Sequence, residues 1–134
     1  LVAVCVLGAG SANAGITQAP RHLISGQGQN VTLSCEQDQN HNAMYWYRQD
    51  PGQGPRILFY FYSNKLQEKG TESERFVAEQ PDKSTLRLTV SVLAPEDSAV
   101  YLCASSNPAG QGNTQYFGEG TRLSVVDDLQ KVKL

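Results

Sequence analysis

No run of eighteen apolar residues occurs in this chain, so nothing in it reads as a membrane-spanning helix. Blocks of like charge are also missing. Eleven Lys and Arg stand against thirteen Asp and Glu, for a formal net charge of −2. There is no basic stripe to grip nucleic acid and no acidic tail to mark a disordered partner segment. Apolar residues recur at no helical period over any long stretch. Chemistry-bearing constellations are equally scarce. His22 and His41 have no Cys, Asp or Glu at metal-ligand spacing. No serine sits in a Gly-x-Ser-x-Gly context. Gly26-Gln27-Gly28 and Gly118-Glu119-Gly120 do not continue as a phosphate-binding loop into a helix. Glu72 and Glu74 share a strand face in what reads as a solvated edge. The expectation is a chain that binds rather than catalyses, with no catalytic residue, no cofactor and no metal ligand.

Cysteine is sparse and odd in number: Cys5, Cys35 and Cys103. Leu1–Ala9 is apolar, and Gly10-Ser11-Ala12-Asn13-Ala14 closes on an Ala-x-Ala pattern, so residues 1–14 read as part of a signal peptide. The alternative is a first strand or buried arm. If the leader is removed, Cys5 leaves with it and an even pair remains. Residues 15–126 read as one domain, which is what 134 residues accommodate. Alternation stops after Val126, and residues 127–134 read as the start of a linker to a further domain, or else as a frayed terminus.

Between these ends the sequence is a series of short strands with turns between them. Val31, Leu33 and Cys35 alternate with polar residues, and Met44, Trp46 and Arg48 alternate with Tyr45, Tyr47 and Gln49. Asp50–Pro55 is a dense turn, Ile57–Tyr62 resumes an extended run, and Asn64–Gln80 supplies edge strands. Leu86, Leu88 and Val90 form another half-buried pattern, and Gln115–Val126 reads as one last strand. Trp46 follows Cys35 by eleven residues, and Tyr101 stands two before Cys103. This spacing resembles the immunoglobulin fold. The resemblance implies a disulfide between Cys35 and Cys103 across a core about 10 Å thick, Trp46 packed beside it, and a Tyr101 hydroxyl bonded to a nearby backbone acceptor. The expected fold is all-β: a variable-type sandwich of about nine antiparallel strands in two sheets, made in an oxidising compartment.

Four motifs narrow the resemblance: Trp46-Tyr47-Arg48-Gln49; Asp97-Ser98-Ala99-Val100-Tyr101-Leu102-Cys103; Cys103-Ala104-Ser105-Ser106; and Phe117-Gly118-Glu119-Gly120-Thr121. Together with Asp127-Asp128-Leu129 they resemble a T-cell receptor beta-chain variable domain running into its constant region. An immunoglobulin light-chain variable domain and a V-type cell-surface adhesion module share the frame and stay open as alternatives. The receptor resemblance implies pairing with an alpha chain and recognition of peptide held by a major histocompatibility molecule. It also implies signalling subunits engaged through other regions, and residence at the extracellular face of the plasma membrane. Neither nucleic acid nor direct membrane contact by this fragment is expected.

The same resemblance assigns residues. Three loops at one end would bind antigen. They are Gln39, Asn40, His41, Asn42 and Ala43; Phe61, Tyr62, Ser63, Asn64, Lys65 and Leu66; and Asn107, Pro108, Ala109, Gly110, Gln111, Gly112 and Asn113. Gln111 and Asn113 would make the most peptide-sensitive contacts, and the turn Gln80–Ser84 is a minor fourth candidate. Tyr47, Gln49, Pro55, Leu58, Leu102 and Phe117 would face the partner chain, with Gln49 exchanging amide hydrogen bonds across the interface. Arg75 and Asp97 would form a structural ion pair far from the loops. Asn30-Val31-Thr32 is an N-glycosylation sequon.

Overall fold

The computed structural model describes residues 15–108 and 114–127. The leader reading (1–14), the loop residues Ala109, Gly110, Gln111, Gly112 and Asn113, and the linker beyond residue 127 lie outside the described residues.

Alternating apolar positions close the chain into two facing sheets. The smaller has strand order β1-β3-β8-β7, from Ile16–Ala19, Val31–Gln37, Thr85–Val90 and Phe76–Asp82. The larger runs β2-β11-β9-β4-β5-β6, from His22–Gly26, Thr121–Val126, Ala99–Ser106, Ala43–Gln49, Arg56–Tyr62 and Lys65–Lys69. β10 (Gln115–Phe117) pairs beside β9. A 3-10 turn, Pro95–Asp97, leads into β9. Eleven strands stand where about nine were expected: residues 16–26 are broken into β1 and β2, and the last expected strand is also broken in two. At the first break the chain leaves one sheet for the other at Ala19-Pro20, where proline has no N–H for the ladder.

The second break corrects the reading of Gln115–Val126 as one strand. Gln18, only 5% exposed, reaches between the sheets. Its amide oxygen accepts from the N–H groups of Cys103 (2.9 Å) and Gly120 (3.0 Å), and its amide nitrogen donates to the Tyr101 carbonyl at 3.0 Å. A side chain on Gly118 would lie 2.5 Å from the Gln18 oxygen, and Gly120 has φ of +94°. Both glycines of Phe117-Gly118-Glu119-Gly120 are thus required by a buried amide, which explains the motif without a phosphate.

The core holds Trp46, Tyr101, Phe76, Met44 and a set of Leu, Ile and Val from both sheets. Cys35 and Cys103 are bonded, with Cα atoms 6.3 Å apart, and Trp46 is paired directly with Cys103 across β4 and β9. The Tyr101 hydroxyl donates to the Asp97 carbonyl at 2.6 Å, and burial holds the phenol well above its usual pKa range. Arg48 is also buried, its Nε on Asp50 (3.0 Å) and its Nη1 on Glu72 (3.1 Å). Glu72 also accepts from Arg56 at 2.6 Å and its side chain is 12% exposed, so it belongs to a charged network rather than a solvated edge.

Candidate functional site

The first and second loops follow from where the strands end. β3 stops at Gln37, a residue without a motif, whose side chain is buried. Its Oε1 accepts from the Gln39 and His41 N–H groups at 3.0 and 3.2 Å. Its Nε2 donates to the carbonyls of His41 (3.0 Å) and Lys83 (3.3 Å). One amide therefore shapes the first loop and ties it to the Gln80–Ser84 turn, where Lys83 Nζ also donates to Asn40 Oδ1 at 2.7 Å. Nothing in the sequence marks this role, because a buried glutamine has no spacing of its own. Replacing Gln37 by leucine takes the side-chain partner from two N–H groups and the His41 carbonyl, while the Lys83 carbonyl keeps the Gln80 amide at 3.2 Å. We expect a destabilisation of about 1–3 kcal/mol and faster amide exchange at Gln39 and His41 than in β4, read by hydrogen exchange. Unchanged exchange at both residues would remove Gln37 from this role.

Ser63 and Asn64 have φ of +50° and +66°, the two-residue turn that joins β5 to β6. The Ser63 N–H donates to the Asn42 carbonyl at 2.9 Å, which couples the first two loops. Two residues assigned to the loops are corrected. Ala43 is fully buried at the start of β4, and Phe61, 6% exposed, pairs with Met44 and points into the core. The hydrophobic pattern continues further into both strands than the loop boundaries allowed. Gln39, Asn40, Lys65 and Leu66 are exposed, and His41, Asn42 and Tyr62 are half-buried. His41 Nδ1 lies 2.8 Å from Ser105 Oγ and its ring stacks on Tyr116 at 5.5 Å. Burial, then the charge of Lys83, lowers the His41 pKa, so the neutral imidazole is favoured against β9. Of the third loop the described residues include Asn107, exposed, and Pro108, half-buried.

A second surface lies on the outer face of the larger sheet. Tyr45 stacks on Tyr60 at 4.9 Å and an interplanar angle of 8°, and Tyr47 tilts against Phe117 at 5.5 Å. The Tyr47 hydroxyl donates to Gln115 at 2.8 Å, and burial raises its pKa. Tyr45, Tyr47, Ile57, Tyr60 and Pro108 line an open cleft of about 450 Å³. Leu102, paired with Tyr47, and Gln49, two residues further along β4, are half-buried, and Gln49 Nε2 donates to the Gln53 carbonyl at 2.8 Å. Pro55 is exposed and Phe117 is 40% exposed. Leu58 is corrected: it is 1% exposed and belongs to the core. Trp46 pairs with Phe59 but Tyr47 pairs with Ile57, so a bulge at Leu58 shifts the parity of β5 and gives Ile57 the outward place.

Arg75 and Asp97 meet in a fork at the other end of the sandwich, at 2.8 and 3.0 Å. Asn30 is exposed there, its Oδ1 accepting the Val92 N–H at 2.9 Å. Among the described residues, no group of three His, Cys, Asp or Glu side chains is placed to hold a metal, and no helix is long and apolar enough to cross a membrane.

Residues 18–126 match the immunoglobulin V-set domain family. The chain is 48% identical over 126 residues to the mouse T-cell receptor beta chain V region 86T1, covering 93% of this chain and 94% of that one. It is 48% identical over 105 residues to human T cell receptor beta variable 5-1, covering 78% and 92%. It is also 50% identical over 133 residues to the feline leukemia virus protein described as viral T-cell receptor beta chain-like T17T-22, covering 98% of this chain but only 41% of that longer protein.

Proposed function

The chain belongs to the immunoglobulin V-set family and is an antigen-recognition domain of the T-cell receptor beta type, and from that premise we propose that it pairs with an alpha chain to read peptide held by a major histocompatibility molecule. The observation that carries this is the joining of loop end and sheet face through one set of aromatic contacts. His41 of the first loop bonds Ser105 and stacks on Tyr116, while Tyr116 is followed by Phe117, which packs on Tyr47 of the outer face. Antigen at the loops and a partner on the sheet would thus press on the same short segment, β10.

The mechanism is recognition by contact, not catalysis. Gln39, Asn40, Ser63, Asn64 and Asn107 offer adaptable hydrogen bonds on a braced backbone, and Tyr62 and Tyr116 offer rigid contact area. Bracing by Gln37 and by the Ser63–Asn42 bond lowers the ordering cost of the first two loops. The third loop, with Gln111 and Asn113, would supply the contacts that vary with peptide. Transmission across the membrane would rest on signalling subunits and segments beyond this domain, with the domain at the extracellular face.

On the partner face, Tyr47, Ile57, Leu102 and Phe117 supply apolar area and Gln49 a polar register point. Gln49→Asp or Leu102→Lys places a charge in that interface. We expect about 2 kcal/mol or more of lost pairing, some thirtyfold, with the isolated domain still folded. Co-secretion with an alpha chain measures it, and wild-type assembly of both variants would overturn the assignment of this face.

A further inference from the structure

We propose that Asn30 carries an N-linked glycan whose first sugars cover Val92 and Val77. The site lies at the start of β3, opposite the end of that strand which bears the first loop, and on the smaller sheet rather than the one that carries Tyr47. A glycan there obstructs neither surface described above.

Three observations converge on it. Asn30 begins the sequon Asn30-Val31-Thr32 and is exposed, and its side chain is held in one orientation: Oδ1 accepts the Val92 N–H at 2.9 Å. That bond turns Nδ2, the atom that takes the sugar, the other way, and among the described residues Nδ2 has no hydrogen-bond partner. Next, two of the large apolar side chains left exposed by the fold lie at this end of the smaller sheet. Val92 is 60% and Val77 55% exposed. Thr32, Thr89 and Val77 lie in register across β3, β8 and β7, so Val77 shares the outer face that Asn30 precedes. Finally, Val92 holds φ of +52°, a conformation a β-branched residue avoids. Its N–H is held by Asn30, its carbonyl by Arg75 Nη1 at 3.1 Å, and the neighbouring Leu93 N–H by the Gln29 carbonyl at 2.8 Å. The turn is pinned so that an apolar side chain faces outward beside the sequon. The apolar face and acetyl methyl of N-acetylglucosamine are suited to such a patch.

In the reaction, Nδ2 of Asn30 forms a bond to the anomeric carbon of a lipid-pyrophosphate-linked oligosaccharide. The carbon–oxygen bond to the pyrophosphate breaks, the lipid pyrophosphate leaves with the electron pair, and Nδ2 gives up one proton. The inference rests on the reading that the chain passes through the secretory pathway.

The test is secretion of the full beta chain with an alpha chain from mammalian cells, followed by peptide mapping before and after peptide N-glycosidase. Most secreted copies should carry a glycan at residue 30, and the enzyme should release it while converting the Asn30 side chain to a carboxylate. Thr32→Val should abolish the glycan and Thr32→Ser should retain it. The carboxylate left by the enzyme still accepts from the Val92 N–H, so the treated protein isolates the effect of the sugar, and its binding of an apolar dye should rise. A secreted chain with the Cys35–Cys103 bond formed but Asn30 unmodified overturns the site and leaves the receptor reading intact. Retention of the chain with free thiols overturns both. A glycan whose removal leaves dye binding unchanged overturns the covering of Val92 and Val77.

Discussion

Replacing Cys35 and Cys103 together by alanine should lower the unfolding free energy by about 4 kcal/mol, the largest single loss expected in this chain. The bond joins residues 68 apart in sequence. Cutting it restores to the unfolded chain the entropy of a loop that long, which gives a figure of this size. Domains of this kind are stable by about 5–15 kcal/mol in all, so the reduced form sits near the edge of folding at body temperature. The lost sulfur atoms also leave space against Trp46, which is fully buried. Trp46 is the only tryptophan, so its fluorescence reports the transition directly. Urea unfolding should show a midpoint lower by roughly 2 M, with a slope no smaller than that of the bonded form because the freed unfolded chain exposes more surface. A loss below about 1 kcal/mol would mean that the two sheets hold together without the covalent tie.

That bond is also the most legible part of the fold. Cys35, Trp46, Tyr101 and Cys103 occupy fixed places at fixed spacings, and alternation carries them to one side of each strand. The outward parity of Tyr47, Gln49 and Leu102 follows by the same rule, because β4 and β9 pair without a shift from Ala43 to Gln49. The rule fails where the ladder is interrupted. The bulge at Leu58 reverses parity in β5, turning Leu58 inward and Ile57 outward, and no residue type in Ile57–Tyr62 announces it. Ala43 and Phe61 read as loop residues because turn-forming residues lie close by, yet β4 begins at Ala43 and β5 runs one residue past Phe61, with both side chains buried. Gln18 and Gln37 are invisible for another reason. Each satisfies backbone groups distant in sequence, and a polar residue that is buried only because its partners arrive from elsewhere leaves no local pattern. The two surfaces can therefore be located from the sequence, while the amides that hold their shape cannot.

Asp97→Ala should be the next most damaging change, at about 3 kcal/mol, with an effect that depends on pH. The Asp97 side chain is 2% exposed and Arg75 is 32% exposed. Removing the carboxylate takes the counter-ion from a partly buried guanidinium, whose Nη1 keeps the Ser91 and Val92 carbonyls at 3.1 Å. It also leaves the Ala94 N–H, now bonded to Asp97 Oδ2 at 2.9 Å, without its acceptor. Breaking a buried pair costs about 3–5 kcal/mol, and the exposure of Arg75 places this one at the low end. Burial pushes the Asp97 pKa up, but the Arg75 hydrogen bonds, the Ala94 N–H and the charges of Arg75 and Arg48 outweigh it, so the folded-state value is lowered. A carboxyl with a depressed folded pKa contributes stability that is complete above its unfolded value near about 4 and disappears as pH falls through the folded value. The gap between wild type and Asp97→Ala should therefore be widest at neutral pH and close below about pH 4. Equal gaps at neutral and acid pH in urea unfolding would show that the carboxylate acts by shape alone. Because Asp97 sits just before β9, at the end remote from His41 and Ser105, its loss should lower the fraction folded without altering the loops. Alpha-chain pairing and ligand affinity per folded molecule should then match wild type, which separates this ion pair from both candidate binding surfaces.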